Sequence, residues 1–300
     1  MSHDVHVADQ ESADLDRPEQ GREVDPEIDP LFVFDFQPLD DPDTADSTSR
    51  WSTYWDVERL CRGPEPLPDW VVTDRAAVDT ELGILKTGKE ADVFLLERAV
   101  DDGPAVVMAA KRYRSEEHRT FHRSSAYTEG RRTRNTRDAR AMAKHTAHGR
   151  AVAAGQWAWA EWEAMKSFWS AGVPVPYPVQ IDGTEILMEL VTVGDEVAPR
   201  LAQCRPDRDL LVSYFEQLRD AMAVLARHGI AHGDLSPYNI LAAGERLVII
   251  DLPQAVDIVG NPTGMDFLMR DCHNVCTWFE ARGLDVDEHA LFGELLAAAF

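Results

Sequence analysis

The 300-residue chain predicts a two-lobed α+β fold. Strand-type patterns crowd the stretch from Glu81 to Arg114, whereas long helical patterns dominate after residue 200. With 44% hydrophobic residues, the chain can build one large domain or two lobes. It contains no internal repeat, and no apolar run approaches the length of a membrane span.

Taken in order, residues 1–50 carry about fifteen Asp and Glu against three Arg, with few periodic apolar residues. Such a composition predicts a disordered acidic tail. "MSHDVHVADQ" is polar and acidic, unlike a signal peptide. Residues 51–69 read as a short helix, "WSTYWDVERL", followed by the Pro-rich link "GPEPLPDW".

Residues 70–190 form the expected first lobe. "ELGILKTGKEADVFLLERA" places two strands around a glycine-containing turn. "DDG" marks a hairpin into the strand "PAVVMAAKRYR". A basic loop is expected over 115–155, since residues 111–150 hold about twelve Lys and Arg against four acids. An anionic partner such as RNA and a solvated loop paired with the acidic tail both account for it. "WAWAEWEAMKSFWSAG" reads as a helix stopped at Gly172, and "TEILMELV" as a strand. Residues 191–300 form the expected helical lobe. It contains "LLVSYFEQLRDAMAVLARHG", the strand "ERLVIIDLPQAV", and the terminal helices "MDFLMRDCHNVCTWFEARG" and "DEHALFGELLAAAF".

Cys61, Cys204, Cys272 and Cys276 lack CxxC spacing. Neither a disulfide framework nor a zinc site is expected, and a reducing cytoplasm is the expected compartment. Cys272 and Cys276, one helical turn apart, read as buried thiols.

The chemistry lies in polar residues embedded in apolar segments. "GILKTGKE" approaches the Walker A pattern, but Glu90 stands where a Ser or Thr would hold magnesium, and "ADVFLL" reads as a strand instead of a helix. The same residues fit a glycine-rich loop between strands, with Gly83 and Gly88 in register and Leu85 at the middle glycine. Backbone N–H groups of such a loop can cover phosphates.

Lys111 ends the apolar strand "VVMAAK" and needs an anionic partner there. Trp157, Glu161, Ala164, Met165 and Phe168 share one helical face, so Glu161 is a charge on an apolar stripe. It is the expected partner of Lys111, with Glu163 the alternative if the helix phase differs. "HGDLSPYN" has the HxDxxxxN spacing of a kinase catalytic loop. Asp234 would orient or accept the proton of an attacking hydroxyl or water. Asn239 would hold magnesium, together with Asp251 after the apolar "LVII".

"TGKEADV", "AGVPVP", "LMELV", "HGDLSPYNIL", "IDLPQAV" and "FLMRDCHNVCTWF" together resemble the RIO atypical kinases. The last stretch points to the first RIO subgroup, and the likeness spans roughly residues 70–285. It implies a two-lobed protein-kinase-like fold that binds ATP and Mg2+ and transfers phosphate to serine or threonine, with autophosphorylation. Met188, Glu189 and Val191 would line the hinge, with backbone groups of Glu189 and Val191 on adenine. Lys89, Glu90, Lys111, Glu161 and Ser236 would complete the nucleotide-binding set. Lys111, Asp234 and Asp251 would be catalytic, Asp251 also as an acceptor of the phosphoryl group. Ser115, Thr120, Ser124 and Ser125 in the basic loop become candidate autophosphorylation sites.

Two departures stand out. Lys86 occupies a position where the family usually has Ser before "TGKEA", which is expected to alter nucleotide affinity. The acidic tail and short C-terminus leave little room for the appended segments of eukaryotic ribosome assembly, so a ribosomal or RNA partner is left open. Ordinary peptide-binding features are also missing. About a dozen residues separate Asp251 from "GMDFLMRD", no APE motif occurs, and Gly233 replaces the HRD arginine. The alternatives are an aminoglycoside-type small-molecule phosphotransferase and a nucleotide-gated RNA-binding factor. The protein substrate is not readable.

Overall fold

Nine residues of a single antiparallel strand organise the first half of the molecule. Strand β4 (Ala105–Tyr113) lies inside a six-stranded sheet. Its neighbours are β1 (Ser49–Trp51), β2 (Val78–Thr87), β3 (Ala91–Ala99), β5 (Pro178–Asp182) and β6 (Glu185–Glu189), in the order β1-β2-β3-β4-β6-β5. The computed structural model describes residues 49–114, 147–252 and 255–300. Most of the expected acidic tail, residues 115–146 of the basic loop, and Ser115, Thr120, Ser124 and Ser125 lie outside them.

The two sheet faces bury different things, as the two-residue period of strands requires. Tyr113, Ile181 and Ile186 face the main core, packed against helix α1 (Ala147–Ser170) through Trp162, Met165 and Phe168. Leu96, Met108, Ala110, Val179 and Leu187 face the other way, onto Tyr54 and Tyr177, with Leu67 and Trp70 alongside.

The helix expected over "WSTYWDVERL" is not formed. Ser49–Trp51 pairs with Thr80–Val78 instead, and only Arg59–Cys61 makes a short 3-10 turn. Sheet pairing overrides local propensity here. Residues 51–69 are packed onto the lobe, since the Tyr177 hydroxyl donates to Pro64 O at 2.8 Å and the Trp162 indole to Leu60 O at 3.0 Å. Helix α1 starts at Ala147, inside the expected 115–155 loop and ten residues before Trp157. It stops as expected at Gly172, where Val173 N donates to Phe168 O at 2.9 Å in a Schellman-type closure.

Beyond β6, β7 (Thr192–Val193) and β8 (Glu196–Val197) form a small hairpin. Helix α2 (Arg208–Arg227) begins under Asp207, whose side chain accepts from Leu210 N. It is followed by β9 (Ile230–Ala231), the hairpin of β10 (Ile240–Ala243) and β11 (Arg246–Ile249), and β12 (Val256–Asp257). Helices α3 (Gly264–Glu280) and α4 (Glu288–Ala299) complete the chain. The strand expected to reach Asp251 ends at Ile249, because Asp251 turns into the left-handed region at φ 69°.

Strand β9 pairs with β12, which sets the segment after β9 beside the segment after β11. Cys272 and Cys276 are buried on α3, and burial pushes their thiols up to about 12 and about 11. Among the described residues no helix is long and apolar enough to cross a membrane.

Candidate active site

Strand register fixes the ceiling of the cleft. Lys86 pairs with Val93, Val93 with Lys111, and Lys111 with Ile186. Directly paired residues share a face, so this row points its side chains the same way. A second row, Gly83–Leu95–Ala109–Met188, lies beside it on that face. The turn between β2 and β3 is tight at Gly88, where an added Cβ would meet Ala91 O at 2.6 Å. Strand β3 follows directly, as the glycine-loop reading requires and the Walker A reading does not.

Lys111 finds the partner expected of it. Its Nζ lies 2.6 Å from Glu161 Oε1 and 3.0 Å from Asp251 Oδ1. Glu163 instead pairs with Lys166 at the surface. Burial alone would lower the Lys111 pKa, but Glu161, Tyr113 and Asp251 hold it well above the usual lysine range. Lys111 in turn lowers the Asp251 pKa against the opposing effect of burial.

Glu161 is buried, and its second oxygen accepts from the Tyr113 hydroxyl. Tyr113 was not anticipated, although it lies two residues after Lys111 and therefore on the same strand face. Tyr113→Phe is expected to cost about 1–3 kcal/mol by stranding a buried carboxylate oxygen. Urea denaturation of the two proteins reads the difference.

The segment after β9 is held from below by Asp271 on α3. Its two oxygens accept from Gly233 N and Leu235 N, each at 2.8 Å. Asn274 Nδ2 donates to Leu235 O at 3.0 Å, and Arg270 donates to Gly233 O. Gly233 itself has φ 86°, a region that side chains disfavour. His232 Nδ1 lies 3.3 Å from Asp234 N and its Nε2 3.2 Å from Ile250 O, so the ring bridges the loop and the end of β11.

These bonds are all backbone-directed around Asp234. Its half-buried carboxylate takes no partner among the described residues. Asn239 Nδ2 donates to Asp234 O at 2.9 Å, and Asn239 O accepts from Ile250 N at 2.9 Å. Asn239 is thereby fixed next to the strand end that carries Asp251, with its Oδ1 unengaged among the described residues.

Asp271 was missed as well. Phe267, Leu268, Asp271, Cys272 and Val275 lie on the buried face of α3, so Asp271 is a charge on an apolar stripe, the signal that marks Glu161. Burial raises its pKa, partly countered by His232 and the two N–H groups. Asp271→Asn places an NH2 against one of two backbone donors. Both a lower melting temperature and a turnover loss larger than any change in ATP affinity are expected, by thermal melts and nucleotide titration.

The remaining expected residues are distributed as follows. Lys89 and Glu90 lie at the surface of the β2–β3 turn, where partial loss of solvent around the cleft and then Asp251 raise the Glu90 pKa. Ser236 is half-buried, its carbonyl accepting from Asn239 N at 2.8 Å. Met188 ends the second ceiling row. Glu189 N donates to Tyr177 O, while the Glu189 carboxylate accepts from Tyr177 N and pairs with Arg246. Val191 O accepts from Ala198 N, and the Val191 N–H has no hydrogen-bond partner among the described residues. A cavity of about 530 Å³ opens here between Leu82, Leu95 and Val107 above and Glu189, Leu190 and Thr192 beside it.

A lysine shared between a helix glutamate and a cleft aspartate, with a hydrogen-bonded loop whose aspartate carboxylate has no partner among the described residues, defines a protein-kinase-like phosphotransferase. The comparisons narrow the class. The RIO domain family model matches residues 99–291. The chain is 34% identical over 215 residues to the RIO-type serine/threonine-protein kinase Rio1 of Haloferax volcanii, covering 72% of this chain and 68% of that one. Over 229 residues it is 27% identical to the serine/threonine-protein kinase RIO1 of Saccharomyces cerevisiae, covering 68% of this chain but 45% of the yeast protein. The Rio1 kinase of Thermoplasma acidophilum is 30% identical over 131 residues, 44% of this chain and 67% of its own. The chain belongs to the RIO family of serine/threonine-protein kinases, whose members use ATP.

Proposed function

We propose that the protein is a Mg-dependent RIO-type kinase and ATPase whose main acceptors are water and its own hydroxyls, not free peptides. The observation that carries this is the assembled Lys111–Glu161–Asp251 set together with an Asp234 carboxylate that takes no partner among the described residues. The Val191 N–H is the adenine donor at the hinge, and Lys111 is the anchor for the α and β phosphates. Asp234 orients the attacking hydroxyl and receives its proton.

The donors on either side of the Asn239–Ile250 bond suit a hard divalent cation. Asp251 spends one oxygen on Lys111 and keeps the other, and Asn239 keeps Oδ1. Magnesium, when bound there, would offset the charge of the phosphates. The polypeptide's part is to hold those oxygens in place.

Only residues 252–263 lie between Asp251 and α3, which is too short for an extended peptide platform. Slow turnover in isolation follows, with a bound partner completing closure. Arg131, Arg132, Arg134 and Arg137 in the basic stretch would give that partner, RNA or a ribosomal particle, an electrostatic hold. ATP turnover with and without ribosomal particles, reading free and protein-bound phosphate, tests the proposal. Hydrolysis and self-labelling are expected to exceed phosphorylation of short generic peptides. Efficient multiple turnover on such peptides overturns it.

A further inference from the structure

Lys86 sits on the same sheet face as Lys111, two strands away by register. Two strand spacings are about 10 Å, within the combined reach of two four-carbon lysine stems toward one polyphosphate. Across the cleft stands Arg200, half-buried, its guanidinium donating to Tyr238 O in the segment that carries Asp234 and Asn239. Neither cation forms an ion pair among the described residues.

The two nonetheless feel each other. Partial burial and then Arg200 lower the Lys86 pKa, with Lys111 adding to the effect and Asp251 opposing it. Like charges from opposite sides of a cleft, neither in an ion pair among the described residues, favour an anion between them. We propose that Lys86 and Arg200 form a second phosphate clamp, one jaw from each side of the cleft, that grips the phosphate chain of the bound nucleotide. The clamp rests on the nucleotide site proposed above. It adds two phosphate ligands to Lys111 and makes affinity depend on the phosphates more than on the base.

The test compares ATP and adenosine binding by calorimetry for the wild type, Lys86→Gln, Lys86→Arg, Arg200→Gln and the double glutamine variant. Each glutamine change is expected to weaken ATP about tenfold, the worth of a charge-assisted hydrogen bond, and to leave adenosine within twofold. Lys86→Arg should restore ATP affinity. The double variant should lose less than the product of the single losses, because both jaws hold one anion. ATP affinities within twofold of wild type in both single variants overturn the clamp, as does an equal loss for adenosine. A wild type that binds ATP no better than adenosine removes the nucleotide site itself, and the clamp with it.

Discussion

Asp251→Asn is expected to weaken Mg-dependent ATP binding by at least about a hundredfold, since even groups behind a metal ligand are worth 10–100-fold in metal affinity. The fold should survive for two reasons. Asparagine tolerates the left-handed backbone that Asp251 adopts at φ 69°. Lys111 also keeps its 2.6 Å contact with the buried Glu161, so no buried ammonium is stranded. Titrating magnesium at fixed ATP, alongside a thermal melt, separates the two effects. A magnesium dependence equal to wild type removes Asp251 from the metal site.

Asp234→Ala is expected to cut turnover by about 10²–10⁴-fold, the range for a positioned general base, while leaving ATP affinity within a few-fold. The loop does not depend on this side chain. Its order comes from Asp271 under Gly233 and Leu235, from His232, and from Asn239 on the Asp234 carbonyl. Every one of those bonds survives truncation to alanine. The loss therefore belongs to the reacting geometry and appears in kcat instead of KM. Single-turnover measurements on protein saturated with ATP read it directly. Turnover within tenfold of wild type would transfer the role of base to another group.

What the sequence revealed, and what it hid, follows the range of the interactions. Glu161 was legible because a lone carboxylate on an apolar helix stripe advertises a buried partner, and Lys111 was the lysine that needed one. The spacing from His232 to Asn239 was legible because the turn is local. Asp271 follows the same stripe logic as Glu161, but its partners are backbone N–H groups 36 and 38 residues earlier, which leave no complementary charge to search for. Tyr113 was hidden because a tyrosine ending a strand reads as ordinary core. Strand β1 was hidden because it exists only by pairing with β2, almost thirty residues later. The left-handed turn at Asp251 was hidden because it falls on an aspartate between the apolar Ile250 and Leu252, where the apolar run reads as continuing strand.

The sharing of the Lys111 ammonium has a mechanical side. Glu161 rides on α1, and Asp251 follows the β10–β11 hairpin in the helical half, so one nitrogen stitches sheet, helix and hairpin together. With no nucleotide bound, this stitch is a strut across the cleft, and it resists breathing of the two halves. On the proposed function, a cation taking up Asp251 would free that end of the strut and leave Lys111 on α1, and a nucleotide held by Lys111 would supply the cross-brace in its place. Stiffness would thus pass from protein to ligand.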